Sequence, residues 1–464
     1  MAHFSWGSKS GMRGFFLGNK SIPFWAVGGS LIATRTSALV FIAIPAAVYK
    51  VGGDLTYLQM TFGYIIGDLV MAFFFLKYYY EKEIYSPYEF IEQRHGENVG
   101  MLTRVLWMIG VILSQGVRLL ATSLVLSVIT GIPVEICIII IGVFSILWSV
   151  IGGITTVIWT DFIQLCIFTL GAVFSILWVV KSIPGGWAEV VNIAGSQGKL
   201  KIWDLSLDPH ATYTLWVALI PVTVFQLSQL TIDQVFVQRT LCCKNLGEAR
   251  KSIYFAILGN ITTFIMAAVG VGLIAFYTVH PLEGSIAEII SKEPDKVFPY
   301  FIVTQIPVGI SGLIIASIFA AGISTLDSGL TALCEASVSG FYKRYMIKDK
   351  SDSHYLKVSK MLIVMWGTLL TIAAFIFYVV NNKNLLDLGL SVYGYVYGAL
   401  FGIALLAFCN RGKWIGILIG TVISVGIVIV LSIHKISFFW WYPVGATSLI
   451  FVVLLISPKK NKIT

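Results

Sequence analysis

One segment near residue 325 carries four oxygen-bearing side chains. In the sequence AAGISTLDSGL, Ser324, Thr325, Asp327 and Ser328 lie three or four residues apart, so on a helix they share one stripe. Hard cations such as sodium take oxygen ligands of this kind. Small and hydroxylated residues also let membrane helices pack closely, so helix packing is the alternative interpretation. The isolated Asp327 carboxylate favours a cation site.

A second isolated acid is Asp161, in the sequence GGITTVIWTDFIQ. It follows a glycine pair that is typical of a tight turn between two helices. The carboxylate could hold a cation, accept a coupling proton or cap a neighbouring hydroxyl such as that of Thr160. We expect a cation site if this segment meets the segment that contains Asp327.

Polar and helix-breaking residues interrupt the first long apolar segment. They are Gly28, Gly29, the run Thr34-Arg35-Thr36-Ser37, and Pro45. This pattern is typical of a discontinuous helix, whose exposed carbonyls and helix ends form ion and substrate sites in secondary transporters. A kinked but continuous helix is the alternative.

A later segment, VTVFQLSQLTIDQVFVQR, has a similarly polar middle. Its polar side chains include Gln226, Ser228, Gln229 and Thr231. The segment lies five predicted helices after the first one, which is the offset that an inverted repeat of five plus five helices produces.

The composition indicates the kind of secondary structure that positions these residues. Of 464 residues, 57% are apolar or aromatic and only 12% are charged, and the mean hydropathy is +0.86. Soluble domains are about 25% charged, so a soluble fold is excluded. Apolar runs long enough to cross a bilayer recur along the chain and predict about twelve transmembrane helices.

The distribution of charge predicts the orientation of these helices. The net charge of +9 comes from Lys and Arg that are concentrated near the N-terminus, in the loops around 77–104, 239–251 and 343–360, and in the C-terminal tail. By the positive-inside rule, both termini are expected in the cytoplasm of a multi-pass protein of the cell membrane.

Five pieces of the sequence resemble the solute:sodium symporter family, which includes sodium/glucose, sodium/proline and sodium/sialic acid cotransporters. The pieces, in order, are SLIATRTSA, SPYEFIEQRHG, GGITTVIWTDFIQ, DQVFVQRTLCCKN and IPVGISGLIIASIFAAGISTLDSGL. The resemblance covers nearly the whole chain. It implies an all-α LeuT-type fold with two inverted five-helix repeats, at 23–180 and 214–409, and two peripheral helices at 414–456.

The resemblance also implies ion sites. The main sodium site of the family corresponds here to Ala33, Thr36, Ala321, Ser324 and Thr325. A second sodium site of some members corresponds to Asp161 with Ser324, Asp327 and Ser328. Asp327 stands where the sialic acid type has a serine, and a second carboxylate would bind a cation more tightly or favour a proton. We therefore expect one or two coupling sodium ions.

Substrate positions of the family are carried over less directly. They correspond to Arg35, Ser37, Gln59, Gln226 and Gln229, together with Arg118 in the third helix. Sugar members carry a Glu-Gln pair where this chain has Leu39 and Val40, which disfavours a glucose-like substrate. Two arginines favour an anion, because guanidinium groups bind carboxylates through paired hydrogen bonds. Alternatively, either arginine pairs with Asp68 or another acid and seals a gate.

One departure from the family concerns the start of the chain. Most members have an additional helix ahead of the region FLGNKSIPFWAVGGS, where this sequence has only about twenty residues. We expect that helix to be missing, with a truncated reading of a longer chain as the alternative.

The expected function is sodium-coupled import of a small organic solute, with an anion such as a carboxylate, an amino acid or a sialic acid-like compound as the favoured class. A proton-coupled symporter and a transporter-like solute sensor are the alternatives. The six histidines are scattered, and no nucleophile, base or metal cluster is evident, so an enzyme is not expected. The expected partners are the solute and membrane lipid, without nucleic acid. A monomer suffices, although the sequence does not define the oligomeric state.

Overall fold

The computed structural model describes residues 17–81, 84, 86–151, 154–346, 350–380 and 385–457. The first half comprises α1 (Phe24–Arg35), α2 (Ala38–Tyr49), α3 (Thr56–Tyr80), α4 (Pro87–His95), α5 (Glu97–Thr130), α6 (Val134–Ile151), α7 (Ile154–Ser182) and α8 (Gly186–Ser196). The second half comprises α9 (Leu215–Ile232), α10 (Gln234–Leu241), α11 (Leu246–Val279), α12 (Gly284–Lys292), α13 (Val297–Gln305), α14 (Val308–Met346), α15 (Ser353–Val380), α16 (Leu385–Phe408), α17 (Trp414–Ile433) and α18 (Phe438–Ile456).

Most of these helices have the length and composition of membrane spans. Eleven are long and apolar enough to cross a bilayer, and α1 and α2, which meet at an angle of 48°, form a twelfth as a bent pair. Large apolar side chains such as Phe144, Leu170 and Val422 remain exposed on the outside of the bundle, as expected where lipid replaces water. The predicted all-helical architecture with about twelve spans is confirmed.

The first span is discontinuous, as predicted. Helix α1 ends at Arg35 and α2 begins at Ala38, so Thr36 and Ser37 lie between two helices. The preceding glycines do not cause this break, since they are helical residues within α1. They permit close packing instead, because a Cβ on Gly29 would lie 2.2 Å from the Phe162 ring of α7.

The sixth span contains the expected counterpart of the break in the first span. The break lies after the polar run that predicted it. The polar run from Gln226 to Thr231 is helical, and the break falls at Asp233, whose backbone is extended (φ −73°, ψ 112°). The Asp233 carboxylate accepts a hydrogen bond from the Val235 amide at 3.0 Å. This side chain thus starts a new helix, α10, by N-capping it.

The packing brings the two broken spans together with α7 and α14. Helix α1 lies against α7 and the first part of α11, and α2 lies against the second part of α11. Helix α14 packs against α5, α6 and α7. Residues of α1, α7 and α14 can therefore meet in the interior.

The loop between α8 and α9 holds the end of α2 that lies farther from the break in the first span. The Lys199 ammonium group donates hydrogen bonds to the carbonyls of Val48, Tyr49 and Lys50, at 3.2, 3.3 and 2.6 Å. These are the last carbonyls of α2, which have no amide partner within the helix, and a cation is favourable at this end of the helix dipole. Burial lowers the pKa of Lys199.

Some sequence predictions concern residues that the structure does not describe. The Gly152-Gly153 turn, the segment before residue 17 and the tail from residue 458 lie outside the described residues. The boundaries of the repeats, 23–180 and 214–409, and of the peripheral pair, 414–456, stay predictions.

Candidate functional site

A buried carboxylate joins three spans. Asp161 of α7 accepts hydrogen bonds from Ser30 of α1 at 2.6 Å and from Ser324 of α14 at 2.5 Å. All three side chains are buried. The predicted meeting of Asp161 with the segment around residue 325 therefore occurs, and Ser30 adds α1 to it.

Arg239 lies at the centre of this cluster, which we call the Asp161 cluster: Ser30, Asp161, Arg239, Ser324 and Ser328. Its guanidinium group is 3.1 Å from the Asp161 carboxylate, and it donates to the Ser30 and Ser328 hydroxyls at 2.8 and 2.5 Å. Arg239 and Asp161 are both almost inaccessible to solvent. A positive side chain thus lies among three residues predicted to hold or surround a second cation.

The placement of Arg239 corrects the sequence interpretation. Residues 239–251 were expected to form a cytoplasmic loop because they carry several basic residues. In the structure, Arg239 belongs to the helix α10 that follows the Asp233 break, and its side chain is 1% exposed. The buried ion pair with Asp161 offsets the cost of removing this charge from water.

Asp327 forms no hydrogen bond with the Asp161 cluster among the described residues. Its side chain is fully buried, and its Oδ1 atom receives only a long hydrogen bond, of 3.4 Å, from Thr331. Among the described residues, its Oδ2 atom has no hydrogen-bond partner. The structure therefore groups Asp161, Ser324 and Ser328 but does not bring Asp327 into the same set of contacts.

The five residues predicted for the main sodium site are buried where α1 ends and on α14. Ala33 lies in the last turn of α1, whose carbonyls have no following helical turn to bond. The hydroxyls of Thr36 and Thr262 form a hydrogen bond of 3.1 Å. The Thr325 hydroxyl donates to the Ala321 carbonyl at 2.7 Å. Helix-end carbonyls and hydroxyls are a donor set that suits a sodium ion.

A cavity adjoins the break in the first span. Its volume, measured as the space open to the centre of a water molecule, is about 90 Å³. Five of the six predicted substrate residues line it, namely Arg35, Ser37, Arg118, Gln226 and Gln229. Much of the remaining wall is aromatic and includes Tyr57, Tyr64, Phe225, Phe236 and Tyr393.

The sixth predicted substrate residue, Gln59, does not line the cavity. It is fully buried, donates to the Tyr213 carbonyl at 3.0 Å and accepts from the Asp204 amide at 3.3 Å. Gln59 therefore connects the loop before α9 to α3.

The two arginines of the cavity differ in their partners. Arg35 forms a paired ion bridge with Asp68, with hydrogen bonds of 2.8 and 2.7 Å, and Gln226 donates to the same carboxylate at 2.7 Å. Pairing with an acid was the alternative to a role of Arg35 in binding an anionic substrate, and the structure has this pairing. Arg118 instead donates to the Thr34 carbonyl at 2.9 Å, and none of the ion pairs in the described part of the chain includes it.

Three residues of this region were not singled out from the sequence, namely Ser30, Asp233 and Arg239. Asp233 accepts hydrogen bonds from Trp107 of α5 at 3.1 Å and from Tyr397 of α16 at 2.9 Å. Both Asp233 and Arg239 lie in the piece DQVFVQRTLCCKN, which carried the family resemblance. Ser30 is likewise the first residue of SLIATRTSA, another piece that carried the resemblance. These two motifs were the available signal.

Two discontinuous spans around a buried ion cluster and a small cavity define a secondary transporter. A model of the sodium:solute symporter family matches residues 15–424, and the chain belongs to this family. Sodium is accordingly its coupling ion, and solute symport is its activity. The family consists of transporters.

Individual relatives transport different solutes. The sodium/sialic acid symporter NanT of Aliivibrio fischeri is 27% identical over 96% of this chain and 87% of its own. Human sodium-coupled monocarboxylate transporter 1 is 28% identical over 93% of this chain and 70% of its own. The sodium/glucose cotransporter of Vibrio parahaemolyticus is 29% identical over 77% of this chain and 68% of its own.

Solved structures agree with the fold. A substrate-bound, outward-open sodium-coupled sialic acid symporter matches with a TM-score of 0.84 and 26% identity, covering 98% of this chain and 94% of the other. The nucleobase-cation symporter Mhp1 in a closed conformation matches with a TM-score of 0.56 and 11% identity over 97% and 96% of the two chains. The predicted LeuT-like fold is confirmed.

Proposed function

We propose that the solute of this sodium-coupled symporter is a small organic monoanion whose carboxylate binds Arg118. The observation that carries the proposal is the contrast between the two arginines of the cavity. Asp68 already occupies the guanidinium group of Arg35, whereas Arg118 donates to the Thr34 carbonyl and forms no ion pair within the described residues. One cavity guanidinium thus remains to pair with a carboxylate of the solute.

Two further polar atoms support an anion at this place. The Ser37 hydroxyl and the Arg35 Nε atom are buried without a hydrogen-bond partner among the described residues, and both residues line the cavity. Ser37 also precedes the first turn of α2, whose amide groups and positive dipole end favour negative charge. The carboxylate would therefore meet hydrogen-bond donors as well as the Arg118 charge.

The size and wall of the cavity support a small solute. The space open to the centre of a water molecule is about 90 Å³, which is small for a solute-binding cavity. Its aromatic wall provides apolar contact more than hydrogen bonds. This favours a short monocarboxylate over a sialic acid or a sugar, which needs many polar partners.

The main sodium ion is assigned to Ala33, Thr36, Ala321, Ser324 and Thr325. The end of α1 presents its carbonyls and the negative end of the helix dipole, which favours a cation. The anion binds at the opposite dipole end, at the start of α2. Sodium and solute thus meet opposite ends of one helix break, and each raises the affinity of the other by a coupling free energy of typically 1–3 kcal/mol.

The rest of the proposal concerns topology and assembly. Both termini lie in the cytoplasm of a cell-membrane protein, as the Lys and Arg bias indicates. One chain provides both the cavity and the Asp161 cluster, so a monomer suffices for transport, with membrane lipid around it.

Uptake by purified protein in proteoliposomes tests this function. We expect an inward sodium gradient, but not a potassium gradient, to drive accumulation of a short radiolabelled monocarboxylate. Sialic acid and glucose should neither accumulate nor compete. Proton-driven uptake without sodium dependence, or accumulation of the sugar alone, would contradict the proposal.

A further inference from the structure

Two neighbouring spans, α3 and α11, each carry a strip of exposed apolar side chains. The strip on α3 contains Phe62, Ile66, Leu69 and Phe73, and that on α11 contains Tyr254, Leu258 and Ile261. Successive members are three or four residues apart, so each strip follows roughly one face of its helix. The Phe73 and Tyr254 rings pack together, with centroids 6.2 Å apart, and the first part of α11 packs on α3. The two strips therefore line a groove on the outside of the bundle.

Arg250 of α11 is fixed against α3 at the aromatic end of this groove. Its Nε atom donates to the Ala72 carbonyl at 3.0 Å, within the π-helical turn Met71–Phe75 of α3. Such turns are rare and frequently lie at functional sites. Arg250 precedes Tyr254 by one helical turn, and none of the ion pairs of the described residues includes it. The terminal nitrogens of its guanidinium group are therefore available to an anion.

Two lysines add positive charge at the same end of the groove. Lys77 lies in the last turn of α3, and the Lys20 ammonium group lies 5.8 Å from the ring centroid of Tyr80, where α3 ends. Neither lysine belongs to an ion pair of the described residues. Glu248, in the first turn of α11, pairs with Lys251 instead. Three cations without a carboxylate partner in the described part of the chain thus lie beside the aromatic pair.

The order of these features matches the order of groups in a phospholipid. An apolar groove leads to two aromatic rings and then to positive charge, and aromatic and basic residues are typical of the membrane–water interface. An acyl chain fits the apolar part, and a phosphate fits the cations. Since α3 ends and α11 begins next to the basic loops, the proposed orientation places this end of the groove at the cytoplasmic face.

We propose that the groove between α3 and α11 binds one anionic phospholipid of the cytoplasmic leaflet. The phosphate pairs with the Arg250 guanidinium group, whose fork of donors suits phosphate oxygens. Lys77 and Lys20 attract the negative headgroup, and an acyl chain lies along the exposed strips. The leaflet depends on the proposed orientation, but the binding does not depend on the proposed solute, because neither Arg250 nor Lys77 lines the solute cavity.

Native mass spectrometry of the detergent-purified protein, titrated with phosphatidylglycerol, tests this site. We expect one preferred phosphatidylglycerol per chain and much weaker binding of phosphatidylcholine, whose headgroup has no net charge. In Arg250→Gln with Lys77→Gln the affinity should fall about 25-fold, because each basic residue near a lipid surface contributes roughly a fivefold factor.

A matched control removes two positive charges elsewhere on the predicted cytoplasmic side. Lys357 and Lys360 are exposed lysines in the first turns of α15, and Lys357→Gln with Lys360→Gln should bind phosphatidylglycerol as the wild type does. An equal loss in the two double variants would attribute binding to net charge and overturn the site. Equal wild-type affinities for phosphatidylglycerol and phosphatidylcholine would overturn it as well.

Inorganic phosphate separates a lipid site from a site for a free anion. Excess phosphate should not displace phosphatidylglycerol from the wild type, since it lacks the acyl chains that the groove holds. Displacement would assign the cations to a soluble anion and contradict the proposal. Unfolding temperatures in lipid-free detergent show whether each variant is folded. If the double variant is not, Lys77→Gln alone decides, and an unchanged lipid affinity in that variant contradicts the site.

Discussion

The Arg239 guanidinium lies 3.1 Å from the Asp161 carboxylate, in an ion pair that is almost completely buried. Arg239 belongs to α10, after the break in the sixth span, and Asp161 belongs to α7. Through Ser30 and Ser324 the pair also holds α1 and α14. One ion pair therefore ties both broken spans to the helices that carry the predicted sodium ligands.

Removal of one partner from this pair should destabilise the protein. We expect Asp161→Asn to cost about 3–5 kcal/mol, because it leaves the Arg239 charge buried without compensation. The double variant Asp161→Asn with Arg239→Gln should recover part of this loss. Thermal unfolding in detergent measures both. Lys292→Gln, which breaks an exposed pair with Glu288, is the control; an equal loss there would contradict the account.

The main sodium site makes a prediction for Thr325. Thr325→Val removes a hydroxyl at nearly constant volume and should weaken sodium binding about tenfold. Thr421→Val is a matched control, because both threonines are 4% exposed and both bond to the carbonyl one turn earlier, at 2.7 and 2.8 Å. Sodium titration by thermal shift compares them. Equal effects of the two changes would assign Thr325 to helix packing.

The ion pair of Arg35 with Asp68 should restrict the charge of the solute. In Asp68→Asn the Arg35 guanidinium loses its carboxylate, so the cavity gains a second unpaired positive charge. We expect dicarboxylates to leave the wild type unstabilised but to stabilise this variant in sodium. Thermal shifts with matched monocarboxylates and dicarboxylates measure the change. The prediction fails if the variant keeps the wild-type preference while remaining folded.

A carboxylate between two short helices, Asp295, should make stability depend on pH. Asp295, between α12 and α13, accepts a hydrogen bond from the Leu385 amide at the start of α16, and burial raises its pKa to about 6. Since the folded state then binds the proton more tightly than the unfolded state, this group's contribution to stability falls as pH rises from about 4 to 6. Relative to the wild type, Asp295→Asn should gain stability across that range.

Unfolding temperatures at several pH values measure this difference. The exposed Asp208, whose carboxylate accepts the His210 amide, provides the control variant Asp208→Asn. A constant difference between wild type and Asp295→Asn at every pH would refute the role of Asp295.

Much of the fold could be predicted from the sequence because its signals are local. Long apolar runs defined the spans, and the polar run from Thr34 to Ser37 marked the first break. The second break was harder, since the conspicuous polar residues from Gln226 to Thr231 are helical and the break depends on capping by Asp233. Capping of this kind depends on a single side chain, which a polarity pattern does not distinguish.

The site was predictable only where one helix carries its residues. Ser324 and Ser328 were found by spacing, but their partner Arg239 lies elsewhere in the chain and looked like part of a basic loop. The choice between a pocket role and an ion pair for Arg35 depended on where Asp68 lies, which spacing does not define. Gln59 matched a substrate position, yet its side-chain amide bonds to the loop before α9. Such assignments require the tertiary packing.

The most direct test of the central claim is binding of short monocarboxylates to wild type and Arg118→Gln, measured by thermal shift with sodium or potassium. The account predicts sodium-dependent stabilisation that Arg118→Gln loses while sodium alone still stabilises. Arg250→Gln, which removes another arginine bonded to a backbone carbonyl, should behave as the wild type. Undiminished stabilisation of a folded Arg118→Gln by the monocarboxylate would contradict the assignment of Arg118 as the anion-binding residue.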